Sequence, residues 1–147
     1  MIVNRKNTRG FSLIEIMVVL VIMGLLASIV APNVLDALAG SKEKKVQADF
    51  ANIETALKMY KLDNFFFPTS EQGLEALVTE PDADPKPKNW RKQGYLPELP
   101  QDPWGNEYLY VSPGEGHPYD IYTLGADGVR GGEDEAKDIT NWDKADN

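Results

Sequence analysis

The chain has 147 residues, a formal net charge of −8 at neutral pH, one histidine and no cysteine. That length suits one compact domain plus an appendage. The acidic balance argues against nucleic acid as a partner, because phosphate backbones are bound by clustered Lys and Arg. Without thiols there is neither a disulfide framework nor a Cys/His zinc site.

The N-terminus opens with a short basic segment, Arg5, Lys6 and Arg9, ending at Gly10. Phe11-Ser12-Leu13-Ile14-Glu15-Ile16-Met17 comes next, and Glu15 is the only charge between Phe11 and Val34. A helix of about 20 apolar residues spans the ~30 Å hydrocarbon core of a bilayer. The preceding cations favour a cytoplasmic N-terminus, which places the remainder across the membrane. Two simpler readings compete. One is a secretory signal cleaved after Ala37-Leu38-Ala39, although the run exceeds the usual apolar region of about 7–15 residues. The other is a plain membrane anchor. Neither explains Glu15, since a charge at the bilayer centre costs about 2.5–3.5 kcal/mol on insertion scales and less near the edge.

Beyond Pro32 the pattern becomes amphipathic: Val46, Phe50, Ile53, Leu57 and Tyr60 recur at steps of four and three, with charged residues on the other face. One helix from about residue 11 to about 62 is predicted. Pro32 lacks an amide hydrogen and Gly24 weakens the same stretch, so a kink is expected there. Glu54 and the lysines 42, 44 and 45 are candidate cross-subunit pairs if the chain polymerises.

Asn64-Phe65-Phe66-Phe67-Pro68 reads as an aromatic, core-packing turn that ends the helix. Thr69 with Gln72 forms a capping-box signature, predicting a short helix to about Val78. A proline- and charge-rich loop covers 81–89. Strands are predicted at 107–111 and 119–124, forming an antiparallel hairpin. A helix followed by a small sheet is an α+β arrangement. After the hairpin come Asp127, Glu133, Asp134, Glu135 and Asp138, separated by Gly128, Gly131 and Gly132. Taken alone, this is a solvated acidic loop, and its spacing is not that of an EF-hand. No nucleophile–base constellation or phosphate-binding loop occurs, and His117 reads as a surface turn residue, so an enzyme is not expected.

Gly10-Phe11-Ser12-Leu13-Ile14-Glu15 behind a basic leader resembles the cleavage and methylation motif of type IV pilins and pseudopilins. Tyr60-Lys61-Leu62-Asp63-Asn64, Gln72-Gly73-Leu74-Glu75-Ala76-Leu77-Val78, Asp102-Pro103-Trp104-Gly105-Asn106 and Leu124-Gly125-Ala126-Asp127-Gly128 are similar to major pseudopilins of type II secretion systems. The resemblance implies a pilin-like α+β fold, with a long N-terminal helix, half transmembrane and half amphipathic, on a small antiparallel sheet. It implies three regions: a removed leader at 1–10, a transmembrane assembly helix at 11–34, and a periplasmic globular domain at 35–147 that includes the amphipathic half-helix. A prepilin peptidase would cut between Gly10 and Phe11 and methylate the new Phe11 α-amine. Glu15 would pair with the N-terminus of a neighbouring subunit, and the stretch between Gly24 and Pro32 would loosen on assembly.

The same resemblance turns the acidic loop into a Ca²⁺ site, with side-chain ligands Asp127 and Asp134 and main-chain oxygens of Leu124 and Val129. Glu133 and Glu135 are further carboxylates whose part is less determined. Ca²⁺ would then close a loop that many pilins close with a disulfide. The implied role is a non-enzymatic filament subunit, single-pass in the bacterial inner membrane, with its globular domain in the periplasm. Its implied partners are other copies in a helical homopolymer, minor pseudopilins, the peptidase, the inner-membrane assembly platform and the lipid bilayer. The filament would drive export of folded proteins across the outer membrane. The alternatives are a type IV adhesion or motility pilin and a secreted Ca²⁺-binding module cleaved after Ala39.

Overall fold

A computed structural model describes residues 10–143, without the side chains of 31–37. The basic leader residues Arg5, Lys6 and Arg9 therefore lie outside the described residues, as does the side chain of Pro32. The chain divides into two units, Met1–Ala39 and Gly40–Asn147. The elements in order are α1 (Leu13–Asn64), a 3₁₀ turn (Leu74–Leu77), β1 (Leu109–Val111), β2 (Asp120–Thr123), two further 3₁₀ turns (Gly125–Asp127 and Asp134–Ala136), and β3 (Ile139–Thr140). The helical assignment of α1 runs through both Gly24 and Pro32.

In the first unit, Leu13–Val30 is an 18-residue apolar stretch with a mean hydropathy of 2.8, none of it buried within the chain. Ser28 is satisfied inside the helix, its hydroxyl donating to the Leu25 carbonyl at 2.7 Å. Such an all-round apolar helix suits an apolar surrounding.

The second unit is built on the amphipathic part of α1. Val46, Phe50, Ile53, Leu57 and Tyr60, one face at helical spacing, are all buried, with Ala56 beside them. Against them sit Leu74, Ala76 and Leu77 of the first 3₁₀ turn and Tyr108, Tyr119 and Ile121 of the sheet region. The sheet is an antiparallel meander in the order β1-β2-β3. Its register pairs Leu109 with Tyr122, Val111 with Asp120, Tyr122 with Thr140 and Thr123 with Ile139. In β2 the alternation buries Ile121 and Thr123 and turns Asp120 and Tyr122 outward. Asn141, just past β3, binds the sheet to the helix. Its carboxamide oxygen accepts the Ile121 N–H at 2.9 Å and its NH₂ donates to Glu54 at 3.0 Å.

Two expectations change. The Thr69–Gln72 box forms reciprocally, with Gln72 N–H donating to the Thr69 hydroxyl at 3.2 Å and Thr69 N–H to the Gln72 amide oxygen at 3.0 Å. The box opens onto a 3₁₀ turn and not an α-helix, because Gly73 adopts φ 62 and breaks the helical path. The aromatic turn also divides. Phe66 and Phe67 pack on the core, but Phe65 is 85% exposed with φ 71. It occupies the left-handed position that ends α1, its N–H bonded to the Lys61 carbonyl at 2.7 Å. That conformation is usually left to glycine and costs a phenylalanine about 1–3 kcal/mol.

The irregular segments are closed by buried polar side chains. Asn64 donates to the Tyr60 carbonyl at 3.1 Å and the Tyr95 hydroxyl at 3.0 Å, and accepts the Asn89 N–H at 2.9 Å. Gln72 donates to the carbonyls of Ala83 and Pro85 at 2.8 and 3.0 Å, pinning the proline-rich loop. Asp102 accepts the N–H groups of Trp104 and Asn106 at 3.0 and 2.7 Å, and the Thr123 hydroxyl at 2.6 Å. Asp102→Ala is expected to lower the unfolding free energy by about 2–4 kcal/mol, since three donors lose their acceptor in a buried place. Denaturant unfolding of the two proteins side by side measures it.

Burial pushes the phenols of Tyr60, Tyr110 and Tyr119 up to about 12. Groups with raised folded pKa values contribute stability that is fully present below their ordinary value near 10 and lost as pH rises towards 12. In an alkaline titration these three phenolates are expected to appear only above pH ~10, together with loss of the fold. Absorbance at 295 nm and circular dichroism follow the two events. Phenolate formation complete by pH ~10 with the fold intact would contradict the burial described.

Candidate assembly segment and carboxylate loop

Gly10 and Phe11 lie just ahead of α1, and Phe11 is 80% exposed. Ser12 occupies the cap position: its carbonyl accepts the N–H groups of Glu15 and Ile16 at 3.0 and 3.3 Å. The Glu15 carboxylate reaches back to the Ser12 N–H at 3.4 Å, the return half of a capping box. Glu15 therefore has a local job at the positive end of the helix dipole. That job places its negative charge at the first turn, next to where cleavage would create an α-ammonium at Phe11. A Cβ added at Gly24 would meet open space, so this glycine is not demanded by contacts within the chain.

In the second unit, residues 124–138 fold back on themselves. At Gly125, φ is 67 and a Cβ would lie 2.7 Å from the Glu135 carbonyl oxygen and 2.9 Å from that of Lys137. Only glycine fits so close an approach. Asp127 accepts the Val129 N–H at 3.0 Å, and Asp138 accepts the Gly131 N–H at 3.0 Å. The other Asp138 oxygen is buried with no hydrogen-bond partner, and Asp134 holds a left-handed φ of 53. Glu135 is engaged elsewhere, in a 2.7 Å ion pair with Lys42 on α1. It is the loop's one carboxylate in an ion pair among the described residues.

Of the predicted ligands, Asp127 lies in the Gly125–Asp127 turn, with Leu124 capping it, and Asp134 opens the turn packed against it. Among the described residues, no three carboxylate or imidazole side chains are gathered as a metal cluster. A hard cation in this loop would rely on main-chain oxygens, which Ca²⁺ accepts readily. The orphaned, buried Asp138 oxygen fits such an ion. Asp138 is absent from the predicted ligand set, because in sequence it is one acid among five with nothing to distinguish it.

The charged residues considered for cross-subunit pairing are largely used within the chain. Glu54 holds Asn141 at 3.0 Å and Lys58 at 3.4 Å. Lys45 binds Asp49 at 2.6 Å and also the Gln101 carbonyl. His117 is exposed, as expected of a turn residue, yet its ring stacks on Trp142 with centroids 4.1 Å apart. Across the helix end, the Arg91 guanidinium bonded to Asp63 holds that carboxyl below the usual range.

A long N-terminal helix with an apolar first part, whose amphipathic second part packs under a small meander sheet, followed by a glycine-rich carboxyl loop, is an α+β arrangement of the kind the sequence predicts. Comparison with known proteins agrees along nearly the whole sequence. Residues 5–31 match the prokaryotic N-terminal methylation motif and residues 33–142 match type II secretion system (T2SS), protein G. Type II secretion system core protein G of Pseudomonas aeruginosa is 54% identical over 95% of this chain and 98% of its own. The Vibrio cholerae protein of that name is 54% identical over 94% of this chain and 93% of its own. Among solved structures, the major pseudopilin from the type 2 secretion system of enterohaemorrhagic Escherichia coli superposes with a TM-score of 0.68 at 45% identity. The match covers 76% of this chain and 95% of that one. The chain belongs to the type II secretion system protein G family.

Proposed function

We propose that this protein is the repeating subunit of a periplasmic pseudopilus, processed at its N-terminus and assembled from the inner membrane to move folded proteins outward. The observation that carries this reading is the unburied apolar stretch Leu13–Val30, which lies within the matched N-terminal methylation motif and precedes a region similar to a solved major pseudopilin. Among the described residues, nothing covers that stretch. A bilayer before assembly and neighbouring helices after it both provide what it lacks. Glu15 then has two successive partners: the Ser12 amide in the free subunit, and a methylated Phe11 ammonium of a neighbour in the filament. A charge pair in an apolar setting is selective for register, because one partner without the other is strongly unfavourable. Prepilin peptidase, an inner-membrane assembly platform and minor pseudopilins are the partners this pathway needs.

The motility-pilin alternative shares the processing step but not the family assignment. The secreted-module alternative requires a cut after Ala39. Removal of the leader lysine and arginines takes the formal balance from −8 to −11, so assembled heads need matched charges or bound cations between them.

We further propose Ca²⁺ as the occupant of the 124–138 loop. Asp127, Asp134 and the main-chain oxygens of Leu124 and Val129 would hold it, with Asp138 as an added contributor. Bound there, the ion would offset part of the loop's negative charge and fix its backbone.

Two experiments test these readings. The mature protein from native membranes is expected to begin at a methylated Phe11 by intact mass and N-terminal fragmentation. A Gly40 start in a soluble fraction would replace the filament with a secreted module, and an intact Met1 would leave a simple anchor. For the loop, chelation is expected to lower the melting temperature and reduce filament yield, with recovery on adding Ca²⁺. Identical melting and assembly with and without chelator would remove the ion from the account.

A further inference from the structure

The three most exposed large apolar side chains described in the Gly40–Asn147 unit are Phe65, Leu62 and Val129, at 85%, 75% and 62%. They fall in two surroundings of opposite charge. Leu62 and Phe65 border an open hollow of about 470 Å³, completed by Phe67, Lys58 and Lys61. Its lining is apolar with two cations and no acid, and the Lys61 ammonium stands 4.5 Å over the Phe67 ring. Val129 stands on the carboxylate loop, where Asp127, Glu133, Asp134, Glu135 and Asp138 outnumber Arg130 and Lys137.

Phe65 is the telling residue. It is held at φ 71, where glycine would be unstrained, and its ring gains no burial within the chain. Neither the fold nor solubility explains a phenylalanine there, whereas a contact that covers it does. The charge of the surface that covers it is set by the chain itself. Copies of so acidic a protein repel one another, and close approach requires a basic spot on one to meet an acidic spot on the next.

We propose that the hollow beside Leu62 and Phe65 of one subunit receives the Val129 side chain and carboxylate loop of a second copy. Lys61 then faces the loop's acids, with Lys58, itself 3.4 Å from Glu54, beside it, while Val129 fills the apolar floor. Because the two surfaces differ, the contact is heterologous and repeats head to tail, generating an open polymer unless it closes into a ring. The proposal rests on the filament reading above and adds to it the identity of one subunit contact. It also gives the loop's order a use outside its own subunit. The Lys42–Glu135 pair, and a cation if bound, would hold the loop in a presentable shape.

The natural sequence has no cysteine, so introduced thiols report cleanly. Full-length Phe65→Cys/Val129→Cys protein, assembled in membranes with its secretion machinery and then oxidised, is expected to give a ladder of covalent multimers. Each single variant is expected to stop at dimers or below. Filaments without a ladder would overturn the contact and leave the filament reading standing, whereas failure of the unsubstituted chain to polymerise would sink both. A second variant separates contact from folding. Phe65→Gly is expected to melt at the same or a higher temperature, because its φ is relaxed, while filament yield falls about tenfold or more. Full filament yield, or a lowered melting temperature, would overturn the proposal.

Discussion

The head of this protein depends on a few buried polar side chains that do the closing work of covalent links. Between α1 and the sheet lie long stretches without regular structure, and their backbone groups cannot pair with one another in ladders. Asn64, Gln72 and Asp102 are buried at the three places where those stretches meet the helix or the sheet. Asn64 and Gln72 each use two hydrogen bonds to fix segments more than ten residues away, and Asp102 closes its own turn through Trp104 and Asn106 while one bond to Thr123 ties that turn to the sheet. Their value lies in their burial. A lost partner leaves a donor or acceptor dry, which costs more than the net gain of forming the bond. Apolar packing of Val46, Phe50, Ile53, Leu57 and Tyr60 supplies cohesion, and the three polar side chains determine which loop goes where.

The chain's other demand is for two surroundings. Its first unit carries an apolar helix that no described residue covers, while its second packs most of its apolar side chains into one core. The few apolar side chains left outside the second unit, and the distribution of charge around them, thus become informative about association. Glu15 belongs to this theme. Engaged with Ser12 at the helix start, it is a charge parked in a tolerable local arrangement beside a segment that water would not solvate well.

Much of this was legible in the residues. The four-three spacing from Val46 to Tyr60 located the buried helix face, and the β-rich segments around Leu109 and Ile121 located the hairpin, because burial on one face imposes periodicity on sequence. The stretches that carried the family resemblance contain Asn64, Gln72 and Asp102. Their role as loop closures could not be read in one dimension, since each acts on residues that are distant along the chain. β3, two residues long, is too short to show alternation, and Asn141 and Trp142 beyond it look like ordinary tail residues. The capping box at Thr69 was visible, but Gly73 decided the outcome by its backbone. Phe65 misled for a related reason: three consecutive phenylalanines read as core, and only the left-handed turn at the first of them sends its ring outward. Asp138 was indistinguishable from its acidic neighbours until burial singled out one of its oxygens.

A head closed by amide and carboxylate side chains is indifferent to the redox poise of its compartment. Its maturation includes no thiol oxidation, so it has no wait for an oxidase and no wrong pairing to be reshuffled. The loops are closed when buried acceptors meet their donors, and no covalent bond has to form for that. Closure of the head therefore includes no chemical step of that slow class.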